Sequence, residues 1–209
     1  MIRESIRGAL LGSVAAIVAI SSNAIARQET RVGGYQDLVA LFTEWRAFQK
    51  PKLQEGVPDY SATAMAAQHR GLAGLERRLG ALDTASWTRA QRVDWHIVRA
   101  EMNGLDFDHR VLKPWATNPA FYVTLFPNRS DQPAREGPHA YGSLELWSYT
   151  FPLSQRHAAE VTARLRTIPQ LLRQARTNLV GNAKDLWTMG IRSMREQSSA
   201  LEALVGRLG

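Results

Sequence analysis

Apolar residues recur at intervals of three and four along most of this chain. Tyr35, Leu38, Val39, Phe42, Trp45 and, less regularly, Phe48 mark one helical row, and Pro51 prevents its continuation, so the first helix is predicted from Tyr35 to Gln49. Residues 51–60, PKLQEGVPDY, read as a loop. Ser61 or Asp59 can cap a second helix, whose face is set by Leu72, Leu75, Leu79 and Leu82, and residues 83–87 form a connector. Thr88 followed by Gln91 is a capping-box pattern. The third helix then runs towards Leu112 with Val98, Met102, Leu105 and Leu112 on its buried side, and Pro114 marks its end.

From Trp115 to Gly142 the texture changes to prolines, glycines and the aromatic cluster FYVTLF. So many large apolar groups would not stay in water, and the stretch reads as a long ordered loop with one short element. Ser143 to Tyr149 can form a short helix. Ser154 caps a longer one carrying Val161, Leu165 and Ile168, which Pro169 ends or kinks before the pattern resumes at Leu171, Leu172, Ala175 and Leu179 and stops at Gly181. The last helix starts after Asn182, with Trp187, Gly190, Met194, Leu201, Val205 and Leu208 along one side. A glycine inside such a row costs about 1 kcal/mol against alanine. Gly190 therefore predicts a close crossing, with Trp187 and Met194 on either side and a partner that can lie beyond the last residue. No convincing strand alternation appears. The predicted class is all-α, an irregular array of about six helices with one long ordered loop.

The first 26 residues stand apart. Arg3 and Arg7 precede an apolar run from Gly8 to Ile20, and Ala24-Ile25-Ala26 has the small-x-small form of a signal-peptidase site. The run is shorter than the roughly 18 residues that span a bilayer. Residues 1–26 are thus expected to be a cleaved secretory signal, leaving 27–209 as a single exported helical domain, periplasmic or extracellular, with no stable membrane span. Removing Arg3, Arg7 and Glu4 takes the net charge from +7 to +6. The arginines are scattered and interleaved with acids, which argues against a nucleic-acid partner. With no cysteine in the chain, an exported domain must rely on its core rather than on disulfides.

The chemistry visible in the residues is sparse. Among the five histidines, His69, His96, His109, His139 and His157, no two lie within a helical turn in sequence, so the His-Glu-x-x-His clamp of zinc peptidases is absent. His96 and His109 read as polar-face residues. Glu136 and His139 have Glu-x-x-His spacing, but Gly137 and Pro138 rule out helical presentation, leaving a loop pair that can reach a cleft. There is no Gly-rich phosphate loop, nucleophile elbow or cysteine nucleophile. Trp115, Trp147 and Trp187 can line a groove or fill a core.

Five strings, PDYSATAMAAQHRGL, VDWHIVRAEMNGLDFDHRVLKPWATNPAFY, PAREGPHAYGSLELW, RLRTIPQLLRQARTNL and KDLWTMGIRSMREQ, occur in an order that resembles the amino-terminal part of the bacterial domain of unknown function 885 family. The resemblance covers roughly Tyr35 to Gly209. It implies a mainly helical, exported or lipid-anchored protein similar to zincin-type metallopeptidases, with zinc held by histidines and glutamates in a later part of longer members. No metal ligand or general base carries over to this chain, and no cofactor is expected within it. The apolar row that continues to the last turn predicts a truncated protein whose missing carboxy-terminal catalytic part would be its partner.

Two functions follow as expectations. In the first, the chain is the amino-terminal helical portion of an exported zinc-peptidase-like hydrolase and helps wall a cleft for a peptide substrate, with Arg135, Glu136, His139, Trp147, Arg192, Arg195 and Glu196 as substrate-side or supporting groups and no catalytic residue of its own. In the second, it is a non-enzymatic periplasmic helical module that binds a peptide or protein partner through exposed apolar faces. Direct metal binding by the scattered histidines is a third, weaker reading.

Overall fold

A computed structural model describes residues 34–129 and 139–208. The expected signal segment, along with Arg135 and Glu136, lies outside the described residues. The predicted all-α class is what the chain adopts: among the described residues there are six α-helices, joined by short 3-10 and π turns and two small strand pairs.

Helix α1 (Tyr35–Phe48) buries Leu38, Leu41 and Trp45, spaced three and four apart. Val39, placed in the predicted row, is 42 % exposed, because the buried face centres on Leu41 instead. Residues 51–60 are more ordered than a loop. Strands β1 (Leu53–Gln54) and β2 (Val57–Pro58) pair antiparallel across Glu55 and Gly56, both at positive φ (52° and 82°), the geometry of a primed hairpin turn. Ser61 caps α2 (Ala62–Gly80) by accepting from Ala64 N, and Leu72, Leu75 and Leu79 are buried as their spacing predicts. The Thr88–Gln91 capping box opens α3 (Arg89–Phe107). Leu38, Leu41, Trp45, Leu72, Leu75, Val98 and Met102 make one core among these three helices. Each fully buried side chain of this size contributes roughly 1.5–3 kcal/mol.

At its end α3 widens into a π turn over Asp108–Leu112, closed by Lys113 N donating to Asp108 O at 2.7 Å. The wider turn rotates the chain, so Leu112, expected inside, is 44 % exposed, whereas His109, expected on the polar face, is only 6 % exposed. Lys113 adopts φ 45° and redirects the chain into α4 (Pro114–Thr117), with Pro114 at its first position. The FYVTLF cluster is core. Phe121, Tyr122, Val123, Thr124 and Leu125 are all buried, the first two in a 3-10 turn, and β3 (Leu125–Phe126) runs parallel to β4 (Leu144–Glu145). Residues 143–149, expected as a helix, instead give β4 and a 3-10 turn over Leu146–Ser148.

Helix α5 (Gln155–Asn178) is capped by Ser154 and runs through Pro169 without ending. Pro169 is exposed, so the carbonyl it frees one turn back is near water. Helix α6 (Lys184–Leu208) is rotated from the predicted stripe: Gly190, Gln197, Ala200 and Leu204 are buried, while Trp187 is 38 % and Val205 70 % exposed. A polar interaction decides this rotation. Gln197 Oε1 accepts from both Thr124 N (2.7 Å) and Leu125 N (3.0 Å), satisfying two buried donors that the adjoining segment cannot satisfy itself. No helix among the described residues is long and apolar enough to cross a membrane.

Candidate functional site

A cleft of about 820 Å³ opens where the carboxy-terminal end of α1, the β1–β2 hairpin, the π turn, α4, the 139–143 turn and α5 come together. That volume lies in the ordinary range for ligand pockets. Tyr60, Met65, Trp115 and Phe121 supply apolar surface; Arg46, Lys50, His139 and Arg164 supply basic groups; Gln68 and Asp108 stand on the α2 and α3 side.

Tyr60 holds the walls together. Its backbone N donates to Gln174 Oε1 (3.0 Å), its carbonyl accepts from Asn178 Nδ2 (2.9 Å), and its hydroxyl accepts from Tyr141 N (2.6 Å). Burial pushes the phenol of Tyr60 well above its usual value, so the group stays a neutral hydroxyl. Tyr122 alongside is pushed up to about 12 by burial, partly opposed by the bond from Asn178. The 139–143 turn is fixed further by Ala140 N donating to Phe121 O (2.7 Å), and Gly142 supplies the positive φ (88°) that the turn needs.

Next to the cleft, α2 and α3 bring His69 and His109 together, rings stacked with centroids 5.1 Å apart and planes 12° from parallel. His109 also packs against Trp115 (4.9 Å). Gln68 Nε2 donates to the carbonyls of Phe48 (3.2 Å) and Gln49 (3.3 Å), two of the orphan acceptors at the end of α1. This orients its Oε1 as acceptor for His109 Nε2–H at 3.0 Å, so the neutral imidazole carries its proton on Nε2. Burial and the neighbouring His69 lower the His109 pKa to about 4, against a smaller opposing pull from Asp106. His69 donates Nε2–H to Asp106 (3.0 Å), whose other oxygen accepts from Arg110 Nε (2.6 Å). Those bonds, from His69 first and Arg110 second, hold the Asp106 carboxyl below its ordinary value, while burial raises that of Asp108.

The cluster does not fit a zinc site. Among the described residues no three His, Cys, Asp or Glu side chains are grouped to hold a metal ion. The two stacked imidazoles lie in nearly parallel planes, so their lone pairs do not converge on one centre.

Of the residues expected at a site, His139 reaches the cleft, with its ring edge-on to Phe126 (5.9 Å). Trp147 does not: it is 44 % exposed beneath the guanidinium of Arg129, 5.7 Å from the ring centroid. Arg192, Arg195 and Glu196 are exposed on α6. Arg195 borders a separate apolar groove of about 370 Å³, formed with Pro119, Leu179, Trp187, Ile191 and Met194. Lys50, Gln68, Arg164 and the His69–His109 pair were not foreseen. A signal for His109 was nonetheless present: Val98, Met102, Leu105 and His109 are spaced four, three and four, which places the histidine on the apolar face.

Comparison with protein-family models, with curated proteins and with solved structures finds no match for this chain.

Proposed function

We propose that the chain is the amino-terminal, substrate-binding helical part of an exported hydrolase of the domain of unknown function 885 type, and that it holds an extended peptide in the cleft above Tyr60. The observation that carries this reading is the cleft itself: apolar aromatic surface from Tyr60, Trp115 and Phe121, basic groups around it, and a Tyr60 tied by three hydrogen bonds to distant elements, one of them the 139–143 turn. The five sequence strings that resemble that family support it independently. The reaction would require residues outside this chain, and zinc, if the complete enzyme uses it, would be bound there. The test is peptide binding measured by titration calorimetry on the protein and on Thr167→Trp, which fills the cleft from α5. Binding by the parent and its loss in the variant is the expected result; equal binding by both would remove the cleft from consideration.

The groove on α6 favours a second reading, a helical module without enzymatic activity that docks a protein partner. Trp187 and Ile191 line it and are more than a third exposed, as are Leu186 and Met189 on the same helix. An interaction abolished by Ile191→Asp and untouched by Thr167→Trp would favour that reading over the first.

A further inference from the structure

We propose that the cleft selects its peptide through a carboxylate seated between Lys50 and Arg164 at the Tyr141–Ser143 turn. This rests on the reading of the cleft as a peptide site and assigns its specificity.

Two cations approach the same turn from different helices. Lys50, two residues past the end of α1, places its ammonium 6.0 Å from the centroid of the Tyr141 ring. Arg164, on α5, donates from Nη1 to the carbonyls of Gly142 and Ser143, both at 3.3 Å. Among the described residues neither cation is closely paired. Arg164 has Glu160 at 3.6 Å, a loose and half-exposed contact, and among the described residues Lys50 has no carboxylate within ion-pair distance. Around the rest of the cleft Arg46, 3.6 Å from Glu101, adds a third positive charge, and among the described lining residues Asp108 is the one carboxylate, its pKa raised by burial. The excess is therefore positive, and it is concentrated at a turn whose backbone is already held by Tyr60 and Phe121. A site of this kind has little ordering cost when an anion binds. Beside the cations, Tyr60, Phe121 and Met65 offer apolar surface, so the ligand class is a peptide in which an apolar side chain lies near a carboxylate.

That carboxylate can be the chain end or an Asp or Glu side chain, and the experiment separates them. Four fluorescent hexapeptides sharing one Leu are compared by anisotropy: a neutral amidated peptide, the same peptide with a free carboxy terminus, an amidated peptide with Glu beside Leu, and an amidated peptide with Lys there. At least one carboxylate-bearing peptide is expected to bind about tenfold tighter than the neutral one, a difference of about 1.4 kcal/mol. Which of the two does so identifies the source. Lys50→Gln should remove most of the preference and Lys50→Glu should shift it towards the Lys peptide; Lys50 is exposed, and circular dichroism checks that the fold is kept. Equal binding of all four peptides, or a preference that survives both Lys50→Gln and Arg164→Gln, overturns the carboxylate inference while leaving the peptide site standing. Binding of none overturns both.

Discussion

Gly190 in α6 stands directly on Pro119: a Cβ at position 190 would come within 2.7 Å of the proline Cβ and 3.2 Å of Ala120 N. The close crossing expected from the sequence exists, but its partner is a 3-10 turn inside the chain, so no segment beyond the last residue is needed to explain it. The obstructing atoms are a ring and backbone, neither of which can swing aside. Gly190→Ala should therefore destabilise by about 1–3 kcal/mol despite its better helix propensity. Gly104, in the last turn of α3, has nothing within 4 Å of such a Cβ. Gly104→Ala should gain up to about 1 kcal/mol. Urea denaturation of the two variants is the check; a stabilised Gly190→Ala would mean that the crossing is looser than its distances indicate.

Gln197 carries the other half of the α6 contact. Gln197→Leu would keep the volume but strand the amides of Thr124 and Leu125 in a buried setting, at about 1–3 kcal/mol each. A loss on the order of 2–5 kcal/mol is expected, measurable as a lowered denaturation midpoint. The hydroxyl of Thr124, by contrast, is buried with no partner among the described residues. Thr124→Val should be neutral or stabilising in the same assay, since it removes a desolvated group that gains nothing in return.

The depressed His109 sets a pH window. In the unfolded chain this imidazole takes up a proton near pH 6.5; in the folded protein it does so only near pH 4. The unfolded state thus binds more protons between those values, and stability falls as the pH is lowered through them. At full effect the shift is worth on the order of a few kcal/mol. His109→Gln should flatten the pH dependence of the unfolding free energy between pH 6.5 and 4, and an unchanged slope would show that another group is responsible. Asp106, whose pKa is lowered, acts in a separate window: its contribution is present above the ordinary carboxylate value and is lost as the pH falls below it.

Helix positions, caps and the core of α1–α3 were legible because they depend on local rules: Ser61 and Thr88 cap by their own side chains, and Leu72, Leu75 and Leu79 follow the 3.6-residue period. What the pattern could not carry was any decision made by distant partners. The roll of α6 is set by an amide at Gln197 meeting two backbone donors more than seventy residues earlier, and the π turn at Asp108–Leu112 changes the phase of α3 without any glycine or proline inside it. The cleft suffers most from this. Lys50, Gln68, Tyr60 and Arg164 are unremarkable in sequence and line one cleft only because five helices and a hairpin converge; of the residues read as candidates from the sequence, Trp115 and His139 line it with them.

Tyr60 also dictates an order of events. Its three ties reach 81, 114 and 118 residues along the chain, whereas the first three helices pack on near neighbours in sequence. Long loops close late, after local contacts have formed. A nascent chain can complete its first core while the wall of the cleft is still being synthesised, and the cleft is complete only once Asn178 has joined the fold.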